Sequence, residues 1–358
     1  MKVAVGLSGG VDSSVSAVLL QERGYEVVGI TMRLWDGRYK GGARDACFGA
    51  GEKEDIETAT ALAAQIGIPY RVFDCAEAYD AEIVRHFRET YLAGRTPNPC
   101  VRCNAIMKFG FLPDLARRSG LEFDKFATGH YARIWRGETG RLAVRRALDE
   151  TKDQSYFLYR LSQEQLARHI FPLGELRKEE VRAKALALGL KSAMKPDSQD
   201  FYSGDVAELI GAEDREGEIV DCSGRVLGRH NGFWHFTIGQ RKGLGIGGAG
   251  EPYYVVALDA CRNRVVVGRA DEVPVHEFSI SDIVFGAVSR EEFETAGSMD
   301  CAVKIRSTGA PRGGAIVEPA VEGSARCRFP AGLAGVAPGQ SAVFYGADGQ
   351  IILGGVIA

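Results

Sequence analysis

Ser8-Gly9-Gly10-Val11-Asp12-Ser13-Ser14 stands between an apolar run at residues 2–7 and a helix-forming run at residues 15–21. A strand, a glycine turn and a helix N-terminus together hold anionic phosphate. The first-turn amides have no intrahelical acceptor, and the helix dipole adds partial positive charge. Gly9 and Gly10 let the backbone come close to such a group, and the hydroxyls of Ser8, Ser13 and Ser14 can donate to its oxygens. A second reactive set is Cys100-x-x-Cys103. Pro97 and Pro99 exclude regular structure before Cys100, so a helix is expected to begin near Cys103 or Asn104. A cysteine at a helix start beside Arg102 should have a lowered pKa, which suits a thiolate nucleophile or a metal ligand. One C-x-x-C is half of a zinc site, and the chain has no second C-x-x-C and no H-x-x-x-H. A zinc completed by Cys47 and Cys75 and a chance pair of buried thiols both stay open. His130, at the tip of a glycine turn after an apolar run from Phe126, is a third candidate.

The elements that must position these groups alternate over the first hundred residues. Residues 2–7, 26–30 and 70–73 read as buried strands. Ile56, Ala59, Leu62, Ala63 and Ile66 recur at helical spacing, and a further helix spans 79–92. This β-α-β-α-β-α order predicts a doubly wound parallel sheet, whose ligands sit beyond the carboxyl ends of its strands. Met32 lies at such an end, where a base could pack, and residues 36–53 read as a loop carrying Cys47. Helices at 163–169 and 178–188 extend this domain, and residues 195–204 are turn-prone. From about Gly217 short β-branched runs follow at 217–221, 234–243, 253–258 and 264–268. The same texture continues to the end, with one short helix near 290–295. The expected organisation is α/β plus β: a parallel-sheet domain with a helical extension at 1–204, a small central β domain at 205–275 and a β-barrel at 276–358.

The totals bound the function. A chain of 358 residues holds two or three domains at roughly 100–200 residues each. Net charge is −3, so no global basic field draws nucleic acid. Local charge matters more: Arg133, Arg136, Arg141, Arg145 and Arg146 face only Glu138 across one hairpin-like stretch, and Lys304, Arg306, Arg312, Arg326 and Arg328 dot the barrel. No apolar run approaches the ~20 residues of a membrane span, and the chain enters a strand without a signal peptide. A cytoplasmic protein with no membrane partner is expected, and its eight cysteines should be reduced thiols.

The glycine loop lacks the lysine of G-x-x-x-x-G-K-[ST] and does not fit G-x-G-x-x-G. It resembles the S-G-G-x-D-S signature of PP-loop ATP pyrophosphatases, which cleave ATP between its α and β phosphates. Further motifs run in order along the chain: G-R-T-P-N-P-x-x-x-C-N, T-G-H-Y-A-R, K-D-Q-S-Y-F-L, S-Q-D-F, F-T-I-G-Q-R-K-G-L and a late P-G-Q. Together they resemble the tRNA-specific 2-thiouridylases over essentially the whole chain. That resemblance implies replacement of O2 by sulfur in a wobble uridine of tRNA, with ATP and Mg²⁺, and with sulfur from a donor protein or sulfide. A monomer when free is expected.

The resemblance also assigns residues. Gly6, Leu7, Ser8, Gly9, Gly10, Val11, Asp12 and Ser13 match the ATP loop, with Asp12 also catalytic, and Met32 and Gly129 match adenosine contacts. Asn98, Pro99 and Cys100 match the segment that meets the target base, and Cys103 matches the nucleophile. Lys152, Asp153, Gln154, His130, Arg306, Ser307 and Gln340 match tRNA-facing positions. Two departures stand out. Cys100 occupies a position where many members carry Asp, and Tyr202 occupies that of a second catalytic cysteine. Cys100 is therefore expected to replace the missing thiol by closing a disulfide with Cys103. An iron–sulfur cluster on Cys100, Cys103 and Cys47 or Cys75 is the alternative. Two rival functions are a PP-loop synthetase or amidotransferase acting on a small molecule, and an RNA-binding module with an inactive loop.

Overall fold

The computed structural model describes residues 1–39, 46–193, 200–202, 204–246 and 251–358. They form two compact units: Met1–Ile83 with Pro99–Asp205 and Ala347–Ile352, and Val84–Asn98 with Val206–Gly346 and Leu353–Ala358.

In chain order come β1 (Lys2–Gly6), α1 (Val11–Glu22), β2 (Glu26–Arg33), β3 (Ala46–Phe48), α2 (Glu52–Ile66) and β4 (Tyr70–Asp74). Next, α3 (Ala76–Tyr79) leads through a π-helical turn, Asp80–Val84, into α4 (Arg85–Leu92). Then follow α5 (Pro99–Arg102), a π-helical stretch Cys103–Phe111, α6 (Leu112–Arg118), β5 (Lys125–Ala127), β6 (Arg133–Arg136) and β7 (Leu142–Arg145). The first unit closes with α7 (Gln163–Arg168), β8 (His169–Ile170), α8 (Lys178–Ala187) and β9 (Asp200–Tyr202).

Five parallel strands make the main sheet, in the order β4-β2-β1-β5-β8. The chain winds outward from β1 to one side, then to the other, so the strand order reverses between β1 and β5. That reversal opens a crevice at the carboxyl ends of those two strands. Val3, Ala4 and Val5 of β1 are wholly buried, as a central strand covered on both faces requires. Against it pack Ala17 and Leu20 of α1 and Ala59 and Ala63 of α2. A second cluster joins Val11 and Val15 of α1 to Tyr131, Leu173 and Val181. Helix α1 starts four residues earlier than expected. Gly10 is its cap, and the Ser13 and Ser14 hydroxyls turn back to the Gly10 carbonyl at 3.1 and 2.8 Å, so the reactive residues are its first turn.

The second unit continues with α9 (Val206–Ile210), β10 (Gly217–Asp221), β11 (Val226–His230), β12 (Tyr254–Asp259) and β13 (Arg264–Gly268). These strands form a sheet ordered β11-β10-β13-β12. The strand expected at 234–243 is absent among the described residues. Phe233–His235 is a 3₁₀ turn after Gly232 at φ 149°, with Phe233 and Trp234 buried as anchors. Finally, β14 (Val275–Phe285), α10 (Arg290–Ala296), β15 (Met299–Lys304), β16 (Arg312–Pro319), β17 (Ala325–Leu333), β18 (Ser341–Tyr345) and β19 (Ile351–Ile357) follow. The strands close a barrel, β14-β17-β16-β15-β18-β19, which leaves no unpaired sheet edge. The expected α/β plus β architecture is thus the one observed. No helix among the described residues is long and apolar enough to cross a membrane.

Candidate active site

The loop from Gly6 to Ser13 is shaped by its own hydroxyls. The Ser8 amide donates to Ser13 Oγ at 3.2 Å, and the Ser8 and Ser13 hydroxyls lie 3.3 Å apart. Gly9 has φ +73°, and a Cβ there would meet the Asp55 carbonyl at 2.9 Å, so only glycine fits. Gly10 offers no side-chain cap, which leaves the amides at the start of α1 to an external acceptor.

The turn after β5 forms the facing wall. A Cβ on Gly129 would stand 2.7 Å from the Ser13 nitrogen and 2.8 Å from the Asp12 carbonyl carbon. Gly129 and the loop are packed backbone to backbone. Sequence reasoning missed Lys178. From the start of α8 its ammonium donates to both Asp12 carboxylate oxygens at 2.8 Å, and the Tyr131 hydroxyl donates to Asp12 Oδ1 at 2.9 Å. The carboxylate of the loop is thus paired with a lysine 166 residues away in the chain. Asp149 holds α8 in place by accepting from the Lys178 amide at 2.9 Å.

Two expectations about the thiols are corrected. Pro99 does not delay the helix but begins it, as the first residue of α5, where a missing amide costs nothing. Cys103 consequently sits one turn inside the helical run and gains no dipole from its start. Arg102 is turned to Glu82, donating to its carbonyl at 2.6 Å and to its carboxylate at 2.9 Å. The Cys103 thiol is not acidified. Burial pushes it up to about 12, against the pull of Lys108, and Cys100, Cys47 and Cys75 add to the rise. Cys75 is pushed to about 12 by burial and by Asp74 and Glu52.

Cys47 lies on a strand rather than in a loop. β3 pairs in parallel with β9, Ala46 opposite Asp200 and Phe48 opposite Tyr202. Tyr202 is buried and packs with Phe48, which also contacts Tyr79 and Phe201. Cys47 adds to the electrostatic surroundings of both Cys103 and Tyr79. None of the eight cysteines forms a disulfide. Among the described residues no three His, Cys, Asp or Glu side chains are grouped to hold a metal ion. Ser198 and Gln199 of S-Q-D-F lie outside the described residues.

The thiol region and the phosphate loop meet through the turn at 128–131. His130 Nδ1 is 2.8 Å from the Thr128 hydroxyl, and its ring packs against Phe109 of the π-helical stretch. Burial, then the Lys108 charge, lowers its pKa to about 3, so the imidazole is neutral. Asp153 and Gln154 face inward. Asp153 accepts from the Ala147 amide at 3.0 Å and the Ser155 hydroxyl at 2.8 Å, and Gln154 Oε1 accepts from the Tyr131 amide at 2.9 Å. The Gln154 carboxamide thus braces the turn and the Asp153 carboxylate its own loop, leaving Lys152 as the side chain of that trio with a cationic head.

In the second unit two distant motifs meet. Gln340 Nε2 donates to the Pro97 carbonyl at 3.0 Å, Asn98 Nδ2 donates to Gln340 Oε1 at 3.2 Å, and the Thr96 amide donates to Pro338 at 2.8 Å. Arg306, exposed like Ser307, donates to the carbonyls of Gly335 and Ile238 and so ties F-T-I-G-Q to the barrel.

A nucleotide-type loop at the switch point of a doubly wound sheet, followed by two β modules, has the architecture of a multidomain nucleotide-using enzyme. Family models described as tRNA methyl transferase HUP domain, tRNA methyl transferase PRC-barrel domain and Aminomethyltransferase beta-barrel domain match residues 1–202, 206–269 and 275–357. The tRNA-specific 2-thiouridylase MnmA of Endomicrobium trichonymphae is 44% identical over 362 residues, covering 100% of this chain and 99% of that protein. Its counterpart from Chloroflexus aurantiacus is 43% identical over 360 residues (99% and 97%), and that from Acetivibrio thermocellus 40% over 367 (99% and 98%). The chain belongs to the MnmA family of tRNA-specific 2-thiouridylases, sulfurtransferases that act on the wobble uridine of tRNA.

Proposed function

We propose that this chain carries out the family's ATP-dependent thiolation with Cys100 in place of the missing second cysteine. The reading rests on one observation: the turn at 128–131 packs against Asp12–Ser13 through Gly129 and against the π-helical stretch beyond Cys103 through His130. Activation and sulfur transfer then share one crevice. Residues 6–13 would hold the ATP phosphates, with Met32 and Gly129 beside the adenosine. Asp12 is the fitting oxygen donor for Mg²⁺, which typically takes one or two carboxylates plus phosphate oxygens.

Uracil O2 attacks the α-phosphorus, pyrophosphate leaves, and O2 becomes part of a good leaving group. A sulfane sulfur on Cys103, passed on from the persulfide of a donor protein whose thiol is regenerated, attacks C2 and expels AMP. The Cys100 thiolate then attacks Cys103 Sγ and breaks its bond to that sulfur. This releases 2-thiouridine and leaves a Cys100–Cys103 disulfide, which a dithiol reductant returns to two thiols. Cys100 and Cys103, three residues apart on a helical run, share a face. Asn98 and Pro99 precede the pair, and Gln340 anchors Asn98 for contact with tRNA, which Lys152, His130, Arg306 and Ser307 extend. The three-part division at 1–204, 205–275 and 276–358 belongs to this reading, as do a free monomer and a cytoplasmic location.

The test is intact-mass and peptide mapping of enzyme after one anaerobic turnover with persulfide-loaded protein, Mg-ATP and unmodified tRNA. A Cys100–Cys103 disulfide in amounts equal to product supports the reading. Product without that disulfide sinks the assigned role of Cys100.

A further inference from the structure

The stretch Cys103–Phe111 is π-helical over nine residues, far longer than the single turn in which such geometry is normally met. Its i→i+5 register stacks residues five apart, so Lys108 comes around above Cys103. In an α-helix that spacing would turn the two away from each other. A π register is costly, and something must hold it. Gln165 of α7 does so: its Nε2 donates to the Ala105 carbonyl at 2.9 Å and to the Phe109 carbonyl at 3.1 Å. Gly110 leaves the room, since a Cβ there would come 3.3 Å from Ala105 O and 3.7 Å from Gln165 Nε2. The other end of the same carboxamide is fixed, because Gln165 Oε1 accepts from the Ser162 amide at 2.9 Å in the capping box of α7.

We infer that Gln165 is a positioning residue for sulfur transfer: its carboxamide locks the π register that sets the Lys108 ammonium beside Cys103, where it stabilises negative charge on sulfur. The inference rests on the reading of Cys103 as the sulfur-carrying residue. The groups around the pair are consistent with it. Cys103 feels Lys108, Cys100, Cys47 and Cys75, and Tyr79 feels Cys103. Burial works against the Lys108 charge, yet Cys103, Cys47 and Cys100 hold its ammonium above the ordinary lysine range. His130, the other ionisable group that feels Lys108, is neutral and does not compete for it. Lys108 is thus the one cation acting on Cys103 among these neighbours.

Gln165→Glu separates the clamp from the cap. Glutamate is a good third residue of a capping box, so α7 keeps its start, but a carboxylate cannot donate to the two carbonyls. Peptide-resolved alkylation from pH 7 to 10, with exposed Cys261 as internal standard, reads the reactivity of Cys103.

Gln165→Glu and Lys108→Met are each expected to lower Cys103 alkylation about tenfold at every pH. Lys108→Arg should restore most of it, and the double variant should be no worse than either single one. Wild-type Cys103 reactivity in Gln165→Glu, or losses that multiply in the double variant, overturns the inference. The underlying reading fails separately, if Cys103→Ser still makes 2-thiouridine.

Discussion

Replacing Gly129 with alanine probes the contact on which the active-site geometry turns. The new Cβ would stand 2.7 Å from Ser13 N and 2.8 Å from the Asp12 carbonyl carbon, both main-chain atoms that no rotamer change can move. Ordinary contact begins at 3.4 Å, so the turn or the loop must retreat by about 0.7 Å. Overpacking of this kind costs about 1–3 kcal/mol. For a unit of this size that lowers the melting temperature by roughly 4–8 °C at the middle of the range. The chemical effect should be larger, because a misplacement near 1 Å can cost about a hundredfold in rate. The assay is tRNA-dependent AMP release followed beside a thermal melt. Gly10→Ala is the contrast. Gly10 has φ −88°, and a Cβ there meets only Ser8 Oγ at 3.4 Å, so its melt should stay within about 0.5 kcal/mol of wild type. A Gly129→Ala protein that melts and releases AMP like wild type would refute the packing argument.

Three further outcomes are expected. Lys178→Met strands the Asp12 carboxylate and should cost about 2 kcal/mol in urea unfolding, less than the ~3–5 of a fully buried pair because Asp12 keeps 26% side-chain exposure. Combined with Asp12→Asn it should cost clearly less than the two singles together, and strict additivity would argue against the pair. His169 is buried and lowered to about 4 by desolvation, so the unfolded chain binds its proton first as pH falls below ~6.5. Its contribution is full above that pH, declines by up to about 1.4 kcal/mol per pH unit, and levels off below 4. His169→Phe should make the fall in melting temperature between pH 6.5 and 4.5 shallower, the rest of it coming from His130, and an unchanged slope would reject this. Gln340→Ala unties Asn98 from the barrel and should lower stability by about 1–2 kcal/mol, whereas an unchanged melt would mean that water replaces the carboxamide.

Sequence patterning carried the parallel sheet well, because β1 is apolar on both faces and α2 keeps strict helical spacing with Gly67 at its end. The phosphate loop was equally legible, since its residue types are dictated by backbone approach and are contiguous. What patterning missed is non-local. Lys178 reads as an ordinary charged residue opening a helix, and only the fold brings it to Asp12. Lys108 reads as lying off the Cys103 face, because α-helical spacing is the default ruler and the π register depends on a glutamine from another helix. The expectation of an acidified Cys103 fails because Pro99 reads as a breaker, whereas its position makes it the first helical residue. The strand assigned to 234–243 shows that β-branched and aromatic content alone does not make a strand, since Phe233 and Trp234 are buried anchors of a turn.

The central claim is a thiolation run by the Cys100–Cys103 pair, and nucleoside mass spectrometry tests it most directly. Unmodified tRNA is incubated anaerobically with enzyme, Mg-ATP, reductant and a sulfur source, alongside Cys100→Ser and Cys103→Ser. The account predicts 2-thiouridine from the wild type and none above background from either variant, with tRNA-dependent pyrophosphate release surviving in both. Full product formation by Cys100→Ser would contradict it.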